Sequence, residues 1–276
     1  MYMAIDIGGT KTLIAVFDSD GVITSQQKFP TNHSYPNFIK DLRRTINELA
    51  TEEVRYACVA APGKIDRQTG IALAFGNLNW KDIPLAADIS KILGCPVLLE
   101  NDVKLAALSE ARQPEFRKFE SVIYLTVSTG ISDGLVVNGI IDPNHADSEA
   151  GHMILGHNGR TQTWESFASG KAIVRRFGKR ASDISDPAIW KIIAHDIASG
   201  LINVIAEVQP DLVVIGGGVG SHFALFGDFL KAELKKYQNP MVTIPPIEQA
   251  KHPEEAVIYG CFEFIKDHAN ATARVA

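Results

Sequence analysis

Short apolar runs alternate with polar punctuation along this chain, and the period of each run predicts the element it forms. Residues 3–12 read as a strand, a glycine turn and the start of a second strand that continues through 13–17. Alternate residues of an extended chain point to opposite faces, so Ala4, Asp6 and Gly8 share one face and Ile5 and Ile7 the other. A third strand is expected at 22–29, and the spacing of Phe38, Leu42, Ile46 and Leu49 predicts a helix. A buried strand at 55–61 ends at Pro62-Gly63, residues 71–80 form an apolar stretch with an amide-bearing turn, and a helix over 83–93 stops at Gly94. The strand 96–99 then runs directly into a helix marked by Val103, Leu105, Ala106, Leu108 and Ala111. The second half should hold a strand pair within 123–138, a polar excursion over 142–164, and helices covering 165–177 and 187–208. A strand and triple glycine over 211–219, a helix at 223–237, a strand near 241–244 and a last helix from about 254 to 268 complete it.

The opening pattern returns. In I-Y-L-T-V-S-T-G-I-S-D-G-L-V-V-N, residues 123–138, Thr126 answers Asp6 and Thr129 answers Gly9 at a constant offset of 120 residues. Both copies turn afterwards at a glycine, Gly21 and Gly139. Two strand-turn-strand units half a chain apart imply a duplicated domain, each half offering one turn to a cleft between them, and the period is too long for a solenoid.

Those turns suit a polyphosphate. Gly8 and Gly9 let backbone N–H groups approach an anion with no Cβ in the way, Thr10 adds a hydroxyl and Lys11 a positive charge. Asp6 is placed for a metal ion or its waters. A Gly-Gly pair between apolar runs also serves as a plain hairpin turn, and that alternative stands for the first stretch taken alone. Asn101 and Asp102 sit where a strand ends and a helix begins, the place where α/β sheets bind ligands. The triple glycine is not a dinucleotide fingerprint, because the pattern from Gly216 needs glycine where Ser221 stands, and no G-x-x-x-x-G-K-[ST] is present.

Composition narrows the partners. A chain of 276 residues, 46% of them apolar, can bury one large core or two moderate ones, and the duplication favours two. A net charge of −5 with a pI near 5.9 argues against nucleic acid or an anionic membrane as partner. The first run has no charged leader and is interrupted by Asp6, so neither a signal peptide nor a spanning helix is expected, and the protein should be cytoplasmic. Cys58, Cys95 and Cys261 lie far apart, as buried thiols of a reducing compartment do. His145, His152 and His157 lack a helical metal-ligand spacing, so no metal site is expected of them.

Seven pieces occur in order: D-I-G-G-T-K-T, P-G-K-I-D, E-N-D-V-K-L-A-A-L-S-E, S-T-G-I, E-A-G-H, W-E-S-F-A-S-G and V-V-I-G-G-G-V. With them the sequence resembles the ROK family of sugar kinases, open reading frames and repressors over nearly its whole length. The resemblance implies the actin-like, hexokinase-type ATPase fold, two RNase H-like α/β domains around a central cleft. The expected division is residues 1–115, with the last helix at about 254–276 packing against them, and residues 116–253. It implies ATP and Mg²⁺ as cofactors, a hexose as partner and a homodimer. Carried over by position, Gly8, Gly9, Thr10 and Lys11 resemble the first phosphate loop, with Asp6 near Mg²⁺; Ser128, Thr129 and Gly130 resemble the second. Gly216, Gly217 and Gly218 are similar to glycines that border adenosine. Gly63, Asn77, Asn101, Asp102, Glu149, His152 and Glu165 match sugar contacts, and Asp102 the catalytic base.

Three departures modify this. Residues 155–164 carry none of the cysteines that bind zinc in many relatives, so no structural zinc is expected. The chain begins on its first strand, so no helix-turn-helix and no DNA-binding repression is expected. Ser132 and Asp133 replace two glycines of the second phosphate loop, and a carboxylate there is expected to weaken the hold on ATP, the alternatives being a plain turn residue pointing into solvent or one that holds a metal water. The resulting expectation is a glucokinase making the 6-phosphate. Fructose, mannose or an N-acetylated hexosamine as acceptor, polyphosphate as donor, and a sugar-binding protein with weak catalysis remain open.

Overall fold

The structure, a computed structural model, describes residues 1–49, 53–252 and 255–275. By contact the chain divides into two units, Met1–Ser109 with Glu255–Ala276 and Glu110–Glu254. The first unit contains β1 (Tyr2–Ile7), β2 (Lys11–Phe17), β3 (Ile23–Pro30), α1 (Tyr35–Leu49), β4 (Tyr56–Ala61), β5 (Lys64–Asp66), β6 (Ile71–Ala74), β7 (Lys81–Ile83), α2 (Leu85–Leu93), β8 (Val97–Asn101) and most of α3 (Asp102–Ala111). The division thus falls within α3, shortly before the expected 115–116.

Five of these strands form one sheet in the order β3-β2-β1-β4-β8. The β1–β2 and β2–β3 pairs are antiparallel, β1–β4 and β4–β8 parallel. The alternation read from the sequence separates its two faces. Met3, Ile5, Ile7, Val59 and Ala61 pack with Phe38, Leu42 and Ile46 of α1 and Leu85 and Ile89 of α2. Ala4, Ala15, Cys58 and Ala60 line the other face with Leu105 of α3. These small side chains admit the last helix of the chain, α9 (Ala256–Val275), whose Ile258, Cys261, Phe262 and Ile265 complete that layer. The expected start of this helix at Glu254 and its end at Ala276 lie outside the described residues.

The second unit contains β9 (Ser121–Val127), β10 (Ile131–Val137), β11 (Ile140–Ile141), β12 (Ile154–His157), β13 (Arg160–Thr163), α4 (Glu165–Ala168), α5 (Gly170–Phe177), α6 (Pro187–Val208), β14 (Leu212–Gly216), α7 (Gly217–Gly220), α8 (Phe223–Lys235) and β15 (Ile247–Gln249). Its sheet, β11-β10-β9-β14-β15, repeats the first in order and strand direction. Ile123, Leu125, Val127, Val213 and Ile215 pack with Trp190, Ile193, Ile197 and Leu201 of α6 and with Phe226 and Leu230 of α8. Among the described helices α6 is the one long and apolar enough to cross a membrane, and these side chains turn its apolar face into the core of the unit.

Three expectations change. Residues 241–244 form no strand beyond an isolated bridge between Asn239 and Val242. Pro245 and Pro246 come next and have no N–H for a ladder, so pairing starts at Ile247 beside Val213. The polar excursion holds the hairpin β12–β13, whose Asn158-Gly159 turn has φ of 51° and 73°, the left-handed pair favoured by two-residue hairpin loops. The helix expected over 165–177 breaks at Ser169, which is extended and whose Oγ accepts from the Ala172 N–H to cap α5.

The contact of α9 with α3 sets a test. A Cβ on Gly260 would lie 2.0 Å from the Leu105 carbonyl oxygen. Gly260→Ala gains about 1 kcal/mol of helix propensity but overpacks a side chain against backbone, which costs about 1–3 kcal/mol or more. A net loss of stability is expected, read as a lower urea midpoint.

Candidate active site

In the first unit the site is built on the β1–β2 turn. The Gly8 N–H donates to the Lys11 carbonyl at 3.0 Å, closing the turn on itself. Neither Gly8 nor Gly9 has a positive φ; both are small because neighbours come close. A Cβ on Gly8 would meet the Lys11 carbonyl oxygen at 2.8 Å, and one on Gly9 would meet Asn77 Cβ at 2.7 Å. Asn77, 68 residues downstream, therefore lies against the turn. A residue unnoticed in the sequence holds it from the other side: Thr31 Oγ1 donates to the Gly8 carbonyl at 2.8 Å and its N–H to the Thr10 carbonyl at 3.0 Å.

The segment Glu100-Asn101-Asp102 divides three roles among adjacent residues. Glu100 is buried and takes a two-pronged bond from Arg67, Nε and Nη2 each at 2.7 Å, while its Oε1 accepts from the Asn101 N–H. Asn101 caps α3: its Oδ1 accepts from the N–H groups of Val103 at 2.9 Å and Lys104 at 3.3 Å. Its Nδ2 donates at 3.0 Å to the carbonyl of Gly63, a residue with φ of +109°. Asp102 opens α3, where its Oδ1 shares the Val103 N–H at 2.9 Å, and its charge acts on Asp6.

Asp6 keeps partial contact with solvent. Burial nonetheless lifts its carboxyl from 3.8 to about 7, with the Asp102 carboxylate adding to the rise and Lys28 opposing it. The Asp6 carboxylate fits a magnesium ion, which is held by one or two carboxylates with waters and phosphates. Among the described residues no group of three or more His, Cys, Asp or Glu could hold a metal ion.

In the second unit the β9–β10 turn repeats the first. The Ser128 N–H donates to the Gly130 carbonyl at 2.9 Å, and the Ser128 carbonyl accepts from the Gly170 N–H at 2.7 Å. Beside it lies a cavity of about 800 Å³ lined by Ser128, Thr129, Lys171, Arg175, Gly218 and His222, among others. Of the three glycines that end β14 and open α7, Gly218 faces this cavity. Gly216 and Gly217 serve packing, since a Cβ on them would meet Tyr124 Oη at 2.2 Å and Thr126 Oγ1 at 2.5 Å. Lys171, Arg175 and His222 had no motif to announce them.

Glu149, His152 and Glu165 gather against the start of β10. Ser132 Oγ donates to Glu149 Oε2 at 2.9 Å, and Glu165 Oε2 accepts from the Ile131 N–H at 3.4 Å. His152 ends the single turn Ala150–His152, which packs so closely that a Cβ on Gly151 would sit 2.0 Å from the Ile131 carbonyl oxygen. Asp133 departs from expectation. It is buried, with Oδ1 accepting from the Ala150 N–H at 3.0 Å and Oδ2 from Ser148 Oγ at 3.1 Å. In a strand it faces away from Ser132, toward the core side of Ile131 and Leu135. Its carboxylate is thus engaged on the core side of the strand, by the Ala150 N–H and the Ser148 hydroxyl.

The model of the ROK family matches residues 2–268. The chain belongs to the ROK family. It is 29% identical to an N-acetyl-D-glucosamine kinase of Escherichia fergusonii, over 94% of this chain and 97% of that one. It is 30% identical to a putative fructokinase of Bacillus subtilis, over 79% and 77%. The solved structure of a ROK family glucokinase from Streptomyces griseus, in complex with glucose and AMPPNP, superposes with a TM-score of 0.80 at 22% identity, covering 95% of this chain and 98% of that one. The ROK protein thus has the actin-like ATPase fold of the ROK hexokinases.

The raised Asp6 carboxyl predicts a pH signature in the ligand-free ROK protein. Because its folded pKa lies above the unfolded one, its contribution to stability is greatest below pH 3.8 and falls as the pH rises to about 7. At about 1.4 kcal/mol per pH unit that interval amounts to on the order of 4 kcal/mol at most, reduced by the partial exposure of the group. Asp6→Asn cannot ionise, so its melting temperature relative to the parent should rise between pH 5 and pH 8; a parallel pair of curves would refute the assignment.

Proposed function

We propose that this protein transfers a phosphoryl group from ATP to a hydroxyl of a hexose, glucose first, with Asp102 as the base. The chain is a sugar kinase of the ROK family. The observation that carries the proposal is that Asn101 already serves both the Val103 and Lys104 N–H groups at the amino end of α3, so capping does not call for a second acid beside Asp6. Phosphoryl transfer asks the protein for positioning and charge neutralisation more than for covalent chemistry. The first unit supplies Gly8, Gly9, Thr10 and Lys11 for phosphate and Gly63, Asn77, Asn101 and Asp102 for the sugar. The second supplies Ser128, Thr129 and Gly130 for phosphate, the cavity beside Gly218 for the nucleoside, and Glu149, His152 and Glu165 for sugar hydroxyls. A magnesium ion held at Asp6 would supply charge neutralisation on the phosphates. Asp102 takes the proton of the attacking hydroxyl.

N-acetylglucosamine is the second reading of the acceptor, favoured by full-length similarity to a kinase named for that sugar. Incubation with ATP, Mg²⁺ and a panel of glucose, N-acetylglucosamine, mannose and fructose, with ADP release as the readout, decides between them. No turnover of any would overturn the kinase proposal.

Asp102→Asn should fold with near-parental stability and lose about 10² to 10⁴ in kcat; near-normal turnover refutes the base. The accepted hexose at about 100 times Kd should add roughly 2.7 kcal/mol to stability, seen as a raised Tm, and absence of any shift would count against the sugar site.

A further inference from the structure

Ser132 and Asp133 stand on adjacent positions of one strand, and together they hold both sides of a distant loop. Ser132 donates to the Glu149 carboxylate; Asp133, on the opposite face, accepts from the Ser148 hydroxyl and the Ala150 N–H. The bonds span 15 to 17 residues of sequence and bracket Glu149 on both sides. Ile131, one residue earlier, donates to Glu165 and carries the carbonyl against which Gly151 packs. Glycines at 132 and 133 could offer neither a hydroxyl donor nor a buried carboxylate acceptor. Hydrogen bonds to a charged group are the stronger kind, and leaving the Ala150 N–H buried without its acceptor would carry the cost of a lost bond in full.

We propose that Ser132 and Asp133 are positioning residues of the sugar half-site: their bonds to Glu149, Ser148 and Ala150 fix the loop that presents Glu149 and His152 to the acceptor. The inference rests on the kinase reading above. It makes this pair a determinant of the grip on the sugar, not of the grip on ATP. Ser132 fixes one carboxylate oxygen of Glu149, and Asp133 fixes the chain on either side. A hexose hydroxyl then meets a carboxylate already oriented, with less freedom to lose on binding.

The test uses the full chain with ATP, Mg²⁺ and whichever of glucose, N-acetylglucosamine, mannose or fructose the parent phosphorylates. Asp133→Ala should raise the KM for that sugar at least about tenfold and leave the KM for ATP within about twofold, because its lost bonds to Ser148 and Ala150 hold only the loop that carries Glu149 and His152. Asp133→Asn keeps an Oδ1 that accepts from the Ala150 N–H and should bring the sugar KM back to within about threefold of the parent. Ser132→Gly, which removes no buried group, should raise the sugar KM several-fold with only the small fall in Tm that a glycine within a strand brings. If Asp133→Ala does not fold, the Asn and Gly variants decide: sugar KM values unchanged in Ser132→Gly overturn the proposal. A fall in KM for ATP in Asp133→Ala, or a lower Tm with both KM values unchanged, overturns it while leaving the kinase reading standing. A parent that neither turns over nor is stabilised by any of the four sugars overturns both.

Discussion

The amino end of α3 is the constraint on which the candidate catalytic centre depends. A helix begins with backbone N–H groups that have no partner within it. Here they lie in a half-buried position, so a side chain must accept from them. Asn101 does this, and its own place is secured at both ends, by Glu100 at the backbone and by the Gly63 carbonyl at the amide. Glu100 in turn is fixed by Arg67, whose planar fork matches a carboxylate better than a lysine could. The outcome is that Asp102 is carried at a defined point on a rigid element, where its charge reaches the carboxyl of Asp6. Phosphoryl transfer to a sugar needs that precision, because a base must lie within hydrogen-bond reach of the proton it removes.

The two units solve one problem twice. In each, a β-hairpin crosses a tight turn beside a parallel strand, and the turn is kept small by something pressed against it: Asn77 and Thr31 in the first, Gly170 and Glu165 in the second. The strands that leave the two turns differ. From the first, β2 begins with Lys11 and Thr12, whose hydroxyl bonds Thr31, and then runs on with apolar residues. From the second, β10 begins with Ile131, Ser132 and Asp133, each of which binds a segment carrying a candidate sugar ligand. The start of β10 and the candidate sugar ligands Glu149 and Glu165 are thus parts of one hydrogen-bonded cluster.

Much of the fold was legible because it rests on local periodicity. The two faces of β1, the helix α1 and the sheet duplication all arise from side-chain alternation and from a repeat at constant offset, and the α6 bounds at Pro187 and Val208 agree with the pattern. Local signals failed where a neighbour element or a backbone group decided. The run at 241–244 has strand composition, but the prolines after it shift the ladder to Ile247. The helix over 165–177 has continuous periodicity, but Ser169 ends one segment and caps the next.

At the site the division is sharper. The sequence by itself determined the chemistry available: two glycine-bearing turns of a kind that suits phosphate, a carboxylate before the first, an acid at a helix start, and acids and a histidine in motifs of the ROK family. It also determined the duplicated plan, since apolar alternation needs no distant partner to be read. Only the tertiary structure decided what each polar group is for. Asp133 is the clearest case. In sequence it is a charge inside a phosphate loop; in the fold the pleat of β10 turns it away from Ser132 into the core, where the Ala150 N–H and the Ser148 hydroxyl hold it. Likewise, Asn101 and Asp102 are adjacent and chemically alike, yet Asn101 spans the cap while Asp102 shares its first N–H, because the cap geometry depends on where α3 begins and on the Gly63 carbonyl 38 residues away. Hydrogen bonds between residues far apart in the chain leave no periodic trace, and they are what assigns these side chains their roles.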